Sequence, residues 1–176
     1  MKDVAGWCFA LLLIFSVADL IAEETPRDEP TTPPTGATIS GQGTIELRIN
    51  VTQYLKGMGL ALVPESFVPE LKEIRNKRWL ESASRLRFNA GYYYLDLKSI
   101  GYFASTNAVQ ITKSDAEGKY SFTGVEPGKY RIYGQYKSRY AAGYWLIPVE
   151  IKSIDDQISI DINNENLEEI YNREAQ

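Results

Sequence analysis

Acid–base chemistry near neutral pH usually relies on histidine, and this chain of 176 residues has none. That removes Ser-His-Asp and Cys-His nucleophile arrangements and every histidine zinc site. The one cysteine, Cys8, lies inside an apolar N-terminal run. A mature chain without that run has no thiol nucleophile, no disulfide and no cysteine metal site. Carboxylates are what remain. The close pairs are Asp115 with Glu117, Asp155 with Asp156, and Glu168 with Glu169. All fall in turn-like stretches or the C-terminal tail, where solvated carboxylates do no catalysis. None shows the Asp spacing and Gly of a calcium loop. No catalytic residue, metal ligand or cofactor site is therefore expected, and the chain does not read as an enzyme.

Aromatic side chains are the other chemical resource. There are twelve tyrosines, with runs at Tyr92-Tyr93-Tyr94, Tyr102-Phe103 and Tyr144-Trp145. Neighbours on a strand point to opposite faces, so some of these rings must leave the core of a sheet protein. Two readings follow. The rings pack beneath helices and loops, or they form an open face that stacks on sugars or anchors a protein. For the second reading the candidates are Tyr102, Phe103, Tyr133, Tyr140 and Tyr144. Lys72, Arg75, Lys77, Arg78, Arg85 and Arg87 form a local basic group, read either as a solvated face or as an attraction for an anionic partner. Net charge is −4, so no global basic field suggests nucleic acid.

Positioning falls mainly to strands. Ile45, Leu47, Ile49 and Val51 alternate with Glu46, Arg48 and Asn50, the cleanest period-2 run in the chain. Further strands are expected at 58–63, 92–97, 106–112, 118–123, 128–137, 145–151 and 158–162. Between the second and third, Phe67, Val68, Leu71, Ile74, Trp79, Ala83 and Leu86 recur at three- and four-residue spacing. That predicts one inserted amphipathic helix over about 66–86. The fold class is all-β, an antiparallel sandwich of about seven or eight strands spanning 41–164. Its expected core is Ile45, Leu47, Ile49, Leu60, Leu62, Tyr120, Phe122, Tyr130, Ile132, Ile147, Val149, Ile158 and Ile160.

Two turns punctuate the most regular stretch, Thr112 to Ile132. Asp115 to Gly118 closes a tight turn, and Glu126-Pro127-Gly128-Lys129 carries Pro and Gly at the central positions of a type II turn. Asp115, Gly118, Pro127 and Gly128 are thus expected as structural turn residues, with both glycines at positive φ. The pattern T-x-x-D-x-x-G-x-Y-x-F-x-x-V-x-P-G-x-Y-x-I resembles the carboxypeptidase regulatory-like domains, a group related to collagen-adhesin B-type and transthyretin-like sandwiches. Residues 143–149 and 158–167 resemble the closing strands of a bacterial exported subgroup. The resemblance spans about 40–167 and implies a prealbumin-like, carbohydrate-binding-like sandwich in an accessory, adhesive or sugar-binding role. Some collagen-adhesin domains form an internal Lys–Asn isopeptide bond. Lys56 with Asn163 or Asn164 would be the participants here, but no matching motif aligns around them.

The N-terminus reads as a targeting segment. Val4 to Val17 is nearly continuous apolar sequence behind Lys2. As a helix it would span about 21 Å, short of a hydrocarbon core of about 30 Å. A signal peptide over 1–22, cleaved after Ala18 or Ala22, fits better than a retained anchor. Residues 23–40 are Pro- and Thr-rich and read as a disordered linker, in which Gly36 would have no fixed conformation. Residues 165–176 form a tail with weak helical content. The expected setting is bacterial and exported, periplasmic or extracellular, with no transmembrane span in the mature chain. The expected partner is a protein or glycan of the cell envelope.

Overall fold

The computed structural model describes residues 35–48, 51–83, 90–138 and 141–172, with side chains at 48, 77–83, 90–96 and 170–172 outside that description. The expected signal peptide, most of the linker, Ile49, Arg85, Arg87 and Tyr140 lie outside the described residues. The chain runs β1 (Ala37–Gln42), β2 (Thr44–Arg48), β3 (Val51–Tyr54), β4 (Gly59–Pro64), a 3-10 turn (Glu65–Phe67), α1 (Val68–Ala83) and α2 (Ala90–Thr106). It continues through β5 (Gln110–Lys113), β6 (Lys119–Val125), β7 (Gly128–Lys137), β8 (Ala141–Ile151), β9 (Gln157–Ser159) and β10 (Leu167–Asn172).

These strands form the expected sandwich. One sheet has the order β6-β1-β9; the other is β10-β8-β7-β4-β5; β2 and β3 form a separate hairpin. Every pairing within the five-stranded sheet is antiparallel. In the smaller sheet β9 joins β1 in parallel. Between the sheets lies a core of Ile39, Ile45, Leu60, Leu62, Phe122, Ile132, Trp145, Ile147 and Val149. Tyr120 is also buried there, its hydroxyl donating to the Ile160 carbonyl at 2.7 Å. Leu47, Tyr130, Ile158 and Ile160 are only partly buried but pack against the same cluster.

A second core covers the other face of the five-stranded sheet. Ala61 and Val63 of β4, Tyr133 of β7, and Ala142, Tyr144 and Leu146 of β8 meet Val68 and Leu71 of α1 and Leu97, Ile100 and Ala104 of α2. The period of two along each strand divides its side chains between the two cores. β8 is accordingly buried without interruption from Ala141 to Ile147. Pro69 sits in the first turn of α1, where its missing N–H costs nothing, and Glu70 beside it suits the positive end of the helix.

Several expectations are corrected. Residues 92–97 are not a strand but part of α2, so the insertion carries a second helix. Residues 45–51 are not one strand: Arg48 pairs with Val51 across a hairpin, and Val51 is exposed. The first strand begins at Ala37, inside the stretch expected as linker. Within the tail, Leu167–Asn172 is a strand rather than helix and pairs with β8. Both punctuating turns carry the chain from one sheet to the other, since β6 belongs to the small sheet while β5 and β7 belong to the large one.

Gly118 has the positive φ expected, +75°, but Gly128 does not; Gly124 takes that role at +70°. The register explains it. Ala37 pairs with Val125 and Ile39 with Phe122, so β6 carries one extra residue there, and Gly124 lies within this bulge. Gly36, expected to be unconstrained, has φ +141°, and a Cβ there would lie 2.5 Å from the Gly124 carbonyl carbon. At Gly118 a Cβ would lie 2.4 Å from the Gly43 carbonyl oxygen, whereas at Gly128 it would meet only the Tyr130 ring, at 3.0 Å. Gly118→Val should therefore cost at least about 1–3 kcal/mol in backbone strain and lower the thermal midpoint by several degrees. Gly128→Val should cost less, because the ring can yield. Equal midpoints for the two variants in thermal unfolding would contradict this assignment of the turns.

Candidate functional site

The helical layer leaves part of the large sheet uncovered. α2 crosses β4 and β7 with Leu97, Ile100 and Ala104 inward, and its neighbouring face opens onto a cleft of about 620 Å³. Ligand clefts commonly have this size and an apolar lining. Leu97, Lys98, Gly101, Tyr102 and Ser105 line it from α2, at the one-four-five-eight spacing of a single helix face. Gly59, Leu60 and Ala61 of β4, with Ile111 of β5, form a second wall. Tyr133, Gln135 and Lys137 of β7 complete it.

The walls differ in character. Leu60, Ala61, Leu97 and Tyr133 are buried by their packing, while Ile111 is 59% and Tyr102 74% exposed. Ser105 Oγ donates to the Tyr102 carbonyl at 2.9 Å, leaving the oxygen able to accept. The Tyr133 hydroxyl donates to Gln135 Oε1 at 3.1 Å. Gly101 permits this arrangement, because a Cβ there would lie 3.0 Å from the same Gln135 oxygen. Among the described residues the lining includes two lysines and no carboxylate.

The five candidate rings do not form one open platform. Tyr133 and Tyr144 are buried together beneath the helices, with centroids 6.2 Å apart. Phe103 is partly buried and meets Phe67 edge-on at 6.3 Å. Tyr102 alone of the described candidates stands open to solvent, and Tyr140 lies outside the described residues. Packing thus claims most of the rings. Lys98, Gly101, Ser105, Ile111, Gln135 and Lys137 are lining residues that the sequence reading missed. A helical period over Leu97, Ile100 and Ala104 was available in the sequence and would have placed the first three on one helix.

At least one carboxylate of each pair is engaged structurally. Asp115 Oδ1 accepts the backbone N–H of Glu117 at 2.9 Å and of Lys119 at 2.8 Å, closing its turn. Asp156 Oδ2 accepts the N–H groups of Ser153 and Lys152, which hold its carboxyl below the usual range. Glu169 receives Arg75 through Nε at 2.9 Å and Nη2 at 2.8 Å, and Glu168 lies 3.8 Å from Lys72. Two members of the basic group thereby tie α1 to β10. A similar fork joins Arg131 to Glu65 at 2.6 and 2.9 Å, and its hydrogen bonds lower the Glu65 pKa. Asn163 and Asn164 are occupied as well: the Asn163 carbonyl accepts the Trp145 indole at 2.7 Å, and Asn164 bonds the Glu46 backbone. Among the described residues no group of His, Cys, Asp and Glu could hold a metal ion, and no helix is long and apolar enough to cross a membrane.

No protein-family model matches this chain, and no curated protein matches it either. Solved structures do. The chain is similar to a Pseudomonas aeruginosa protein described as a candidate carbohydrate-binding protein, at 14% identity and a TM-score of 0.44, over 80% of this chain and 98% of that one. It is also similar to the major pilin subunit of Bacillus cereus, at 12% identity and 0.40, over 74% of this chain and 30% of the pilin. The pilus backbone of Streptococcus pneumoniae matches at 11% and 0.31, over 72% of this chain and 41% of its own. The chain spans less than half the length of either pilin.

Burial, reinforced by the charges of Glu169 and Glu168, pushes the Tyr144 phenol up to about 12, while Arg75 pulls the other way. Burial raises Tyr120 as well. A raised folded-state pKa means that the fold retains the proton. Its contribution is complete below the ordinary tyrosine value of about 10 and is lost as pH rises through the folded value. Unfolding followed between about pH 9 and 12 should show a steep alkaline loss of stability. Tyr144→Phe should flatten it in part, with Tyr120 supplying the remainder. An unchanged alkaline slope in Tyr144→Phe would contradict the burial of this ring.

Proposed function

We propose that this chain is a non-catalytic accessory module of the bacterial cell envelope, of the carboxypeptidase regulatory-like kind, which binds a partner molecule in the cleft beside α2. The observation that carries this reading is the cleft itself: about 620 Å³, apolar along its walls, with amide, hydroxyl and ammonium groups at its mouth. Among the described residues that line it there is no carboxylate, so the reading is of a site that offers contact and orientation without a proton donor–acceptor pair. Export rests on the apolar run from Val4 to Val17 and the Pro- and Thr-rich stretch behind it. In that reading 1–22 is a signal peptide and the linker ends before Ala37.

A glycan is a specific second reading. Tyr102 offers an open ring at the cleft mouth, with Ser105 and Gln135 near enough to line the same space. One ring with flanking hydrogen-bonding groups suits a single stacked sugar better than an extended chain across several rings.

Amide chemical shifts of the full chain, titrated with a mixed panel of soluble oligosaccharides, short acyl carboxylates and peptides, test this function. At least one class should move residues 97–105 and 110–113 together, with no turnover of ester or glycoside substrates. Ligands that move only residues outside these segments, or reproducible hydrolysis lost on a single acidic substitution, would contradict it.

A further inference from the structure

We propose that the free edge of β5 is an interface between two copies of this chain, paired antiparallel through residues 111–113 about a two-fold axis at Thr112. β5 ends the five-stranded sheet, with β4 as its one strand neighbour there. It pairs with β4 from Lys113 opposite Gly59 to Gln110 opposite Leu62, and Ser114 N–H donates to the Met58 carbonyl at 3.0 Å. Backbone groups alternate in direction along an antiparallel strand. Thr112 and Gln110 therefore turn their N–H and C=O groups to β4, while Ile111 and Lys113 turn theirs outward. No described residue takes those outward groups in a hydrogen bond. An unpaired edge of this kind is a template for another strand.

The limits of the open stretch select its occupant. Val109 N–H is engaged by the Leu62 carbonyl at 2.8 Å, and Asp115 N–H by the Lys119 carbonyl at 2.9 Å. What remains between them is symmetrical about Thr112. A longer foreign strand would run past both limits without meeting a further donor, whereas a second β5 has the same length and the same ends. The register follows as well. With Thr112 on the axis, Ile111 of each copy faces Lys113 of the other, and the outward groups of both strands are paired. Thr112 then faces its own counterpart, a favourable cross-strand pair. The lysine stem lies over the exposed Ile111 side chain, with its ammonium in water. An axis at Ile111 would set Lys113 against Val109, whose N–H is already engaged. An axis at Lys113 would set like charges together. α2 packs chiefly on β4, β7 and β8, so the helical layer leaves this margin clear. Ile111 also lines the cleft, so Lys113 of the second copy extends its outer wall, whatever the cleft binds.

Single cysteines in the full chain, each with Cys8→Ala, read the register directly. Across the axis the two Thr112 Cα atoms stand about 4.5 Å apart, within the reach of a disulfide. Thr112→Cys should therefore give a covalent dimer under mild oxidation, and Ile111→Cys and Lys113→Cys should give little. Sedimentation then checks the charges. Ile111→Lys meets Lys113 twice across the axis and should weaken association by at least about fivefold. Ile111→Glu should preserve or strengthen it, and added salt should reduce that gain. Amide exchange at 111 and 113 should slow as the protein is concentrated. Association without the Thr112→Cys crosslink, equal crosslinking from all three positions, or equal loss in Ile111→Lys and Ile111→Glu would overturn the proposal. So would a chain that stays monomeric at the concentrations used for NMR, whether or not other residues of its own protect the 111 and 113 amides. Each of these failures leaves the cleft standing as a binding site, since that reading needs one copy only.

Discussion

β8 must be buried on both faces, and the rest of the molecule follows from that constraint. Its alternate side chains serve two cores: Trp145, Ile147 and Val149 point into the sandwich, while Tyr144 and Leu146 point the other way. A strand of this composition would expose a wide apolar surface if either cover were missing. The small sheet supplies one cover and the α1–α2 insertion the other. Polar groups are satisfied in the same places. The Trp145 indole reaches the Asn163 carbonyl, and Tyr144 shares the neighbourhood of the Arg75–Glu169 pair that ties α1 to β10.

This arrangement also explains the position of the cleft. Two helices of sixteen and seventeen residues cover part of a five-stranded face. α2 lies against β4, β7 and β8, and β5 at the sheet edge keeps Ile111 exposed. The cleft is the space between the flank of a helix and the margin of the sheet. It is bounded by regular elements, which hold lining groups in place better than loops do. Gly101 brings the helix and β7 close enough for Gln135 to lie against the helix backbone.

How much was legible follows from which physical signals were local. Alternation along β4, β6, β7 and β8 identified the sandwich and its inner core, because one face of each strand meets a single environment. Tyr92-Tyr93-Tyr94 misled for the converse reason. A run of aromatics has strand propensity, yet its helical context is set by Leu97, Ile100 and Ala104, which lie beyond the run. Gly128 imitates a left-handed glycine because the Pro-Gly pair matches a type II turn; the need for positive φ arises four residues earlier, from a bulge set by pairing with β1. The cleft was illegible because it is a juxtaposition of α2 with strands from both sides of it in sequence. The tyrosines stand out as a group, but whether a ring is covered depends on a helix layer that composition does not reveal.

Ring accessibility tests the central claim, a large sheet covered on both faces with one aromatic left open at the cleft, most directly. Photo-excited dye polarisation of tyrosine ring protons by NMR reports which rings a small dye can touch. Strong signals are expected from Tyr102 and Tyr54, which are 74% and 57% exposed, and silence from Tyr120, Tyr133 and Tyr144. Strong polarisation of Tyr133 and Tyr144 would show that the helices do not cover the second face. Both the two-sided cover of the sheet and the cleft that depends on it would then be contradicted.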